Sequence, residues 1–262
     1  MNTERGEPTA ALYGFSTLLV KLLRERDPIG VGLAFDAGAR RRRAVDPGYK
    51  GSRRPPPPEL AAQLARVREL PDHIGAPMLI LDGEEADDIL ATAARELAAA
   101  GQNVLVVSGD RDLLQIAGPA VSILFVGRRG GAHEEYDAPA VERRFGVSPR
   151  ALPDLRAFLG DPADELPGLD GVGPKIAARW IQRHGDIDGV LAHAGELEPA
   201  HLRERVLAAA LRLRQVAQLG RLVDDLPLPA GRRLASWDDD TRARLRTWFE
   251  ALEFRSLVPR LG

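Results

Sequence analysis

The sequence predicts an α/β domain built on a parallel sheet, followed by an all-helical domain. Helix and strand patterns alternate from residue 8 to about residue 127, and strand patterns then disappear after a glycine-rich turn at 127–131. Short helices joined by Gly or Pro turns fill the remainder. Alternation of this kind is typical of a parallel sheet covered by helices on both faces. We therefore expect a first domain at residues 1–137 and a helical second domain at residues 138–262.

Each element follows from hydrophobic periodicity and from the residues that interrupt it. Apolar residues at helical spacing predict helices, and short aliphatic or β-branched runs predict strands. The predicted helices of the first domain are 10–24, 59–70 and 86–100, its predicted strands are 30–35, 78–81, 104–107 and 121–126, and a last helix is expected at 240–253. Ligands of such sheets gather at the carboxyl ends of the strands.

Composition limits the chemistry that the chain can perform. Its 262 residues include no cysteine, which excludes disulfides, thiolate metal sites and a cysteine nucleophile. The five histidines show no metal-ligand spacing. No stretch approaches the roughly 18 apolar residues that span a bilayer, and the N-terminus lacks an apolar signal core, which predicts a soluble, cytoplasmic protein. The net charge of −2 is small, but the two signs are segregated along the chain.

A basic segment at residues 38–58 interrupts the α/β pattern. It carries six arginines and one lysine against the single acid Asp46, and it ends in four prolines. Such a segment cannot bury itself, so we expect an exposed, mobile loop or arch. Long loops in compact domains are usually functional, although a solvated linker would have the same composition. The residues predicted to contact DNA here are Arg40, Arg41, Arg42, Arg43 and Arg54.

Acidic residues follow three of the predicted strands. They are Asp36 after the first strand, Glu85, Asp87 and Asp88 after the second, and Asp110 and Asp112 after the third. Any one group is readily explained by helix capping, but three groups at one sheet edge exceed what capping needs. Clustered carboxylates repel one another unless a cation or protons neutralise them. Oxygen ligands suit Mg²⁺ or Mn²⁺, and metal-assisted hydrolysis of phosphate esters is the chemistry that this pattern favours.

A glycine-containing turn in the second half predicts a phosphate contact. Gly171, Val172 and Gly173 precede a predicted helix whose first residue is Pro174, a residue suited to that position. Backbone amides at the turn can donate hydrogen bonds to a DNA phosphate, and Lys175 supplies charge. Such contacts read no sequence, so binding would depend on strand structure and salt. A Gly-x-Gly between helices is more often only a turn, which makes this signal weak by itself.

Six short blocks together carry a family resemblance. They are Phe35-Asp36-Ala37; Gly48-Tyr49-Lys50 with Arg53; Glu85-Ala86-Asp87-Asp88; Asp110-Arg111-Asp112-Leu113; Gly160-Asp161 with Asp164; and Gly171-Val172-Gly173 with Lys175. In this order and approximate spacing, they resemble the bacterial 5'-to-3' exonucleases of the flap-endonuclease family, including the N-terminal nuclease domain of DNA polymerase I. The resemblance spans nearly the whole chain.

The resemblance implies a PIN-like nuclease domain followed by a helix-hairpin-helix domain that grips duplex DNA. It also implies two or more Mg²⁺ or Mn²⁺ ions, a K⁺ ion at the hairpin, and a monomer that acts on 5' flaps, nicked or branched duplexes and 5' ends. The implied metal ligands are Asp36, Glu85, Asp87, Asp88, Asp110, Asp112, Asp161 and Asp164. The residues implied to meet the scissile phosphate and the threaded 5' strand are Tyr49, Lys50 and Arg53.

One departure from the family pattern leaves alternatives open. Family members begin with a strand that carries an aspartate, before the segment that matches residues 5–8 of this sequence. Either the assigned start lies too far downstream, or the chain is a truncated, catalytically impaired paralogue that binds branched or duplex DNA without cleaving it. A third alternative is a PIN-type ribonuclease, but the helix-hairpin-helix half argues for duplex DNA.

Overall fold

The computed structural model describes residues 2–4, 6–127, 133–161, 166–229 and 237–262. The helices are α1 Ala10–Arg26, α2 Arg40–Val45, α3 Pro58–Val67, α4 Leu70–Ile74, α5 Ala86–Ala99, α6 Ala138–Phe145, α7 Leu152–Leu159, α8 Pro174–His184, α9 Ile187–Ala192, α10 Arg203–Ala208, α11 Ala210–Gly220 and α12 Asp239–Ala251. The strands are β1 Leu33–Ala34, β2 Met78–Leu79, β3 Val104–Ser108, β4 Val121–Phe125, β5 Glu134–Tyr136, β6 Gly160–Asp161 and β7 Leu166–Pro167.

The chain forms two compact units that alternate along the sequence. The first contains Met1–Asp36, Arg53–Ile80 and Pro229–Gly262, and the second contains Ala37–Ser52 and Leu81–Leu228. These units describe packing, and the domain boundary expected near residue 137 stays a prediction. None of the helices in the described part of the chain has both the length and the apolar character that crossing a bilayer requires.

The first unit packs α1, α3, α4 and α12 around one apolar core. Its sheet is the short parallel pair of β1 and β2, with Leu33 opposite Met78. The helix α12 begins where the Asp238 side chain accepts a hydrogen bond from the Thr241 amide at 2.8 Å, which satisfies one of the free N–H groups of the first turn. The most enclosed core side chains are Leu12, Val20, Leu70, Ile74, Leu245, Phe249, Phe254, Leu257 and Leu261.

The second unit holds a mixed sheet and most of the remaining helices. β3 lies parallel to β4 with Val104 opposite Val121, and β5 pairs antiparallel to β4 with Tyr136 opposite Ile123. The valine- and isoleucine-rich strands β3 and β4 suit a sheet that is buried against helices. Its core includes Val106, Ile123, Leu155, Phe158, Trp180, Val190, Leu202 and Leu213.

The predicted fold class, an α/β domain with a helix-rich second half, is confirmed, but the sheet differs from the prediction. The strands expected at 30–35 and 78–81 shrink to β1 and β2, which pair apart from β3 and β4. Met78 and Ile80 are exposed, so that hydrophobic run is not enclosed on both faces as a central strand would be. The antiparallel strand β5 was missed because its sequence, Glu-Glu-Tyr, lacks the apolar alternation that predicts strands.

Two other predictions need correction. The helix expected at 59–70 divides into α3 and α4, because Pro71 has no N–H group and fits only the first turn of a new helix. The basic segment is not a loop throughout, since α2 forms within it and Arg42 is buried there. The glycine-rich turn expected at 127–131 lies mostly outside the described residues.

Candidate metal centre

Close backbone contact in the second unit places α2 beside the N-terminus of α5. Gly38 and Gly83 have φ values of 141° and 80°, a region that favours glycine, and a Cβ on Gly38 would lie 2.8 Å from the Gly83 Cα. The Ala37 amide donates to the Glu84 carbonyl at 3.0 Å, and the Arg40 amide donates to the Gly83 carbonyl at 2.8 Å. This approach brings part of the basic segment to the acidic start of α5.

Three carboxylates at the start of α5 form what we call the acidic cluster: Glu85, Asp87 and Asp88. One oxygen from each lies within 4.8 Å of the others. Glu85 and Asp88 are only 6% and 1% exposed. Acids at a helix N-terminus favour the helix dipole, but three carboxylates this close repel one another strongly when buried. The all-oxygen donor set fits a hard divalent cation such as Mg²⁺.

Two cationic side chains of the basic segment reach the acidic cluster. Arg42 Nη1 lies 2.7 Å from Glu85 Oε2 and 2.5 Å from Asp88 Oδ2, and Arg42 Nη2 lies 3.0 Å from Asp88 Oδ1. Lys50 Nζ lies 2.7 Å from Glu85 Oε1. Burial lowers the pKa of both cations, but hydrogen bonds and charge from the carboxylates outweigh it, so the pKa of each is raised. Both side chains are therefore charged at neutral pH.

Asp87 stands apart within the acidic cluster. Its Oδ1 accepts a hydrogen bond from the Asp88 amide at 2.8 Å, and the described part of the chain shows no ion pair between Asp87 and a cationic side chain. Burial raises the pKa of Asp87 to about 7 against the opposing charge of Arg42, with further contributions from the neighbouring carboxylates, including Asp110. A carboxylate with this pKa readily exchanges a proton for a metal ion near neutral pH.

A second group of acids in the same unit is joined by an arginine. The Asp110 side chain accepts a hydrogen bond from the Asp112 amide at 2.8 Å, which caps the short helix Arg111–Ile116. Arg156 forms ion pairs with Asp112 and, at 3.0 Å, with Asp161. Arg156 was not predicted from the sequence. Its signal was an arginine between the buried apolar residues Leu155 and Ala157 of α7, five positions before Asp161.

The structure brings only some of the predicted metal ligands together. The acidic cluster and Asp110 interact, and Asp112 and Asp161 share Arg156. Asp36 is exposed and belongs to the first unit, whereas all of these acids belong to the second. Asp164 lies outside the described residues. The acids after three predicted strands were expected at one edge of a single parallel sheet. That expectation is wrong, because β1 and β2 form one sheet and β3 and β4 belong to another.

The residues predicted to act on the phosphate differ in their surroundings. Tyr49 is buried, with Lys50 Nζ 4.9 Å from the centre of its ring. Lys50 lies in the turn after α2 and has a φ of 53°, which is in the left-handed region. Arg53 is exposed and belongs to the first unit.

The residues predicted to contact DNA are not equally accessible. Arg42 is buried and bound to the acidic cluster, which does not support its predicted DNA contact. Arg40 pairs with Asp82 at 2.6 Å and Arg41 with Glu84 at 3.0 Å. Exposed residues of this group are Arg40, Arg41, Arg43 and Arg54.

The predicted glycine turn takes its expected place before a helix. Gly171 has a φ of 84°, Val172 is buried, and Gly173 precedes α8, which begins at Pro174 as predicted. Lys175 is exposed in the first turn of α8. The backbone amides at this helix end suit an anion, as helix N-termini generally do.

Comparison with known proteins gives this geometry its context. Residues 1–146 match the family described as "5'-3' exonuclease, N-terminal resolvase-like domain", and residues 147–241 match "5'-3' exonuclease, C-terminal SAM fold". DNA polymerase I of Mycobacterium bovis is 39% identical over 264 residues, and the thermostable DNA polymerase I of Thermus thermophilus is 36% identical over 266. These alignments cover 99% and 100% of this chain, but they span only 29% and 31% of the two relatives.

Solved structures share the fold at lower sequence identity. The T5 5'-exonuclease with bound divalent metal ions (zinc) matches with a TM-score of 0.66 and 20% identity, over 84% of this chain and 83% of that one. The catalytic core of Rad2 in complex with DNA substrate matches with a TM-score of 0.64 and 18% identity, over 99% and 86%. Because the two family models together cover residues 1–241, the chain belongs to the 5'-3' exonuclease family.

Proposed function

We propose that this chain hydrolyses DNA phosphodiesters as a structure-selective 5'-to-3' exonuclease and 5'-flap endonuclease. The observation that carries the proposal is the acidic cluster. Its three carboxylates outnumber the two nearby cations by one, and Asp87 has a pKa of about 7. A buried excess of carboxylate in a member of a nuclease family is the expected design for a divalent metal site. The T5 5'-exonuclease, whose structure is named with bound divalent metal ions, and the Rad2 catalytic core, named in complex with DNA substrate, support this proposal.

The residues that would hold Mg²⁺ or Mn²⁺ form two groups. Asp87, Glu85 and Asp110 would serve one ion, and Asp112 and Asp161 would serve another, with Asp36, Asp88 and Asp164 as the further ligands that the family motifs suggest. In sites of this kind a divalent ion supplies an activated water and offsets charge on the attacked phosphate. No side chain of this chain needs to act as a nucleophile.

The basic segment would supply the electrostatic part of the reaction. Lys50 remains charged at neutral pH and reaches the edge of the acidic cluster, where a phosphate bound to the cluster would meet it. Lys50 and Arg53 would offset charge that develops on the phosphate, as preorganised cations do, and Tyr49 would fix the position of Lys50. Exposed arginines of the segment would contact the backbone of the 5' strand without reading its sequence.

The turn before α8 would grip the duplex. Amides around Gly171 and Gly173 and the charge of Lys175 suit a phosphate, and the carbonyl groups of such a turn suit K⁺. We propose a monomer that acts in the cytoplasm on 5' flaps, nicked or branched duplexes and 5' ends, in DNA replication and repair. The names of the relatives, DNA polymerase I, support the role in DNA replication and repair.

Cleavage of a labelled 5'-flap DNA tests the proposal. The wild-type chain should cut with Mg²⁺ or Mn²⁺ and not with EDTA, and Asp110→Asn should abolish cleavage while flap binding, measured by fluorescence anisotropy, persists. Asp240→Asn is the control, because Asp240 is an exposed acid in α12. Cleavage retained in Asp110→Asn would refute the assignment. A wild-type chain that binds flaps without cutting them would support the impaired paralogue, and preference for a structured RNA would support the ribonuclease.

A further inference from the structure

Arg42 is enclosed by more than the acidic cluster. Its side chain is 8% exposed, and its Nε donates to the Leu219 carbonyl at 3.0 Å, near the end of α11. The two Nη atoms hold Asp88 on both oxygens and Glu85 on one. Such a bidentate pair is rigid and stays charged, unlike a lysine held by a single ammonium. The guanidinium thus ties α2, the start of α5 and the end of α11 together within the second unit.

The Asp88 carboxylate already accepts hydrogen bonds on both oxygens from nitrogen donors. Its Oδ1 accepts from Arg42 Nη2 and, at 2.9 Å, from the Val223 amide, and its Oδ2 accepts from Arg42 Nη1. The next turn of α5 adds Thr92, whose hydroxyl donates to the Asp88 carbonyl at 2.9 Å. Asp88 is 1% exposed. These bonds use three of the roughly four acceptor sites of the carboxylate. A cation that bound both oxygens would have to break buried hydrogen bonds, and each broken bond leaves a costly unpaired group.

The charges around the acidic cluster also indicate that Asp87, and not Asp88, is the carboxylate open to a cation. The acidic cluster carries three negative charges when ionised, and Arg42 and Lys50 return two of them. Asp88 forms an ion pair with Arg42. Within the described part of the chain, Asp87 forms no ion pair with either Arg42 or Lys50. Lys50 is more exposed than Arg42 and lies on Glu85 Oε1, the oxygen that Arg42 does not use.

We infer that Arg42 is a permanent counter-cation that withdraws Asp88 from metal coordination, so that a divalent ion is received by Asp87 and by the Glu85 oxygen where Lys50 now lies. The inference rests on the proposed metal-dependent function, and it revises the ligand set that the sequence motif suggests. Arg42 is then a positioning residue, and Asp88 anchors it. Lys50 is the cation that an incoming metal ion displaces.

A double-mutant cycle on Arg42 and Asp88 tests this inference through Mn²⁺ binding, measured by electron paramagnetic resonance at pH 7.5 without DNA. Arg42→Met leaves a buried negative charge uncompensated, so Mn²⁺ should bind more tightly, on the order of tenfold. Asp88→Asn removes the one negative charge by which the carboxylates exceed Arg42 and Lys50, so it should weaken binding by a similar factor. The double variant restores the net charge of the wild-type site, and its affinity should return to within about threefold of the wild type.

Other outcomes overturn the inference. If Asp88 is a metal ligand, the double variant stays as weak as Asp88→Asn. If Arg42 only orders the carboxylates, Arg42→Met weakens Mn²⁺ binding instead of strengthening it. Circular dichroism confirms folding, and the double variant, which keeps the net charge of the wild-type site, decides the question if either single variant fails to fold. The Arg40–Asp82 pair is the matched control, because both side chains are exposed and Arg40→Met with Asp82→Asn should leave Mn²⁺ affinity unchanged.

Failure of the proposed function gives a different result. A wild-type chain that binds Mn²⁺ but never cuts flap DNA removes the nuclease proposal and leaves the cycle intact. A wild-type chain that cuts flap DNA, with a double variant that loses Mn²⁺, removes only the inference. If the wild type binds no Mn²⁺, the inference still requires that Arg42→Met does so, and no binding by either would overturn it.

Discussion

The acidic cluster and Asp154 are two buried carboxylate sites of the second unit with different charge balance. Asp154 is 3% exposed, and its two oxygens lie 2.9 and 3.1 Å from Arg221 Nη2. Its Oδ1 also accepts from the Ile187 amide at 3.4 Å, where α9 begins. Burial raises the pKa of Asp154 even though Arg221 opposes the shift. One acid meets one base, and the pair joins α7 to α9 and to the residue that follows α11.

The acidic cluster has a surplus instead of a balance. Three carboxylates meet Arg42 and Lys50, and burial raises the pKa of Asp87 to about 7. Asp154 is also buried with a raised pKa, so neither property distinguishes a metal site from a structural ion pair. The distinguishing property is the carboxylate without a cation of its own. Asp112 and Asp161 differ from both sites in that each forms an ion pair with the same arginine, Arg156.

The largest expected difference between the two sites is catalytic. Asp87→Asn removes the unmatched carboxylate, so we expect single-turnover cleavage of a 5'-flap DNA in Mg²⁺ to fall on the order of 10³-fold or more. Asp154→Asn should leave this rate within about threefold, because Asp154 belongs to a balanced structural pair. Equal losses in two folded variants would show that charge surplus does not mark the active carboxylates.

The pH dependence of stability should separate the sites next. Asp87 has a pKa of about 7 in the folded chain and an ordinary carboxyl pKa near 4 in the unfolded chain. Between these values the folded state holds a proton that the unfolded chain has released, so the free energy of unfolding falls as pH rises from about 4 to about 7. The loss should reach up to about 4 kcal/mol in EDTA and be complete above pH 7.

Urea unfolding of the wild type and of Asp87→Asn, from pH 4.5 to 8, measures this difference. The two stability curves should lie close together at the acid end and diverge toward neutral pH, with the variant becoming the more stable. Mn²⁺ should reduce the divergence by stabilising the ionised wild type. Curves that stay parallel in EDTA would show that Asp87 ionises normally in the folded chain.

Stability should respond in the opposite way at Asp154. Asp154→Ala leaves Arg221 without its carboxylate and the Ile187 amide without an acceptor, so the free energy of unfolding should fall by about 1–3 kcal/mol. The loss stays below that of a fully buried pair because the Arg221 side chain is 54% exposed. Urea unfolding at pH 7 measures it. A variant as stable as the wild type would show that the Asp154 pair contributes little to stability.

The sequence predicted the residues of the site better than their partners. Alternating patterns and acids at predicted strand ends identified the acidic cluster and Asp110, because short-range order fixes where a strand ends and a helix begins. Pairing between distant segments was not predictable. Arg42 reads as one of four consecutive arginines, and only the fold shows that it turns inward to Asp88 while Arg40 remains exposed.

The sheet shows the same limit. Hydrophobic runs predicted four strands, but no local signal shows that β1 pairs only with β2 over two residues while β3 pairs with β4 over five. Arg156 was missed because its partners Asp112 and Asp161 lie on other elements. Register and ion pairing depend on long-range packing, which single-sequence periodicity does not contain.

The smallest expected effect is at the exposed pair of Arg40 and Asp82, which is balanced like Asp154 but lies in solvent. Because the two side chains are 68% and 92% exposed, Arg40→Ala should change the free energy of unfolding by at most about 0.5 kcal/mol. Flap binding should weaken only a few-fold, and the dependence of log affinity on log salt should lose about one unit of slope if Arg40 contacts a phosphate. Fluorescence anisotropy titrations at salt concentrations from about 50 to about 200 mM measure this slope. An unchanged slope with unchanged stability would assign Arg40 to solvent alone and would restrict the DNA contacts of the basic segment to its other exposed arginines.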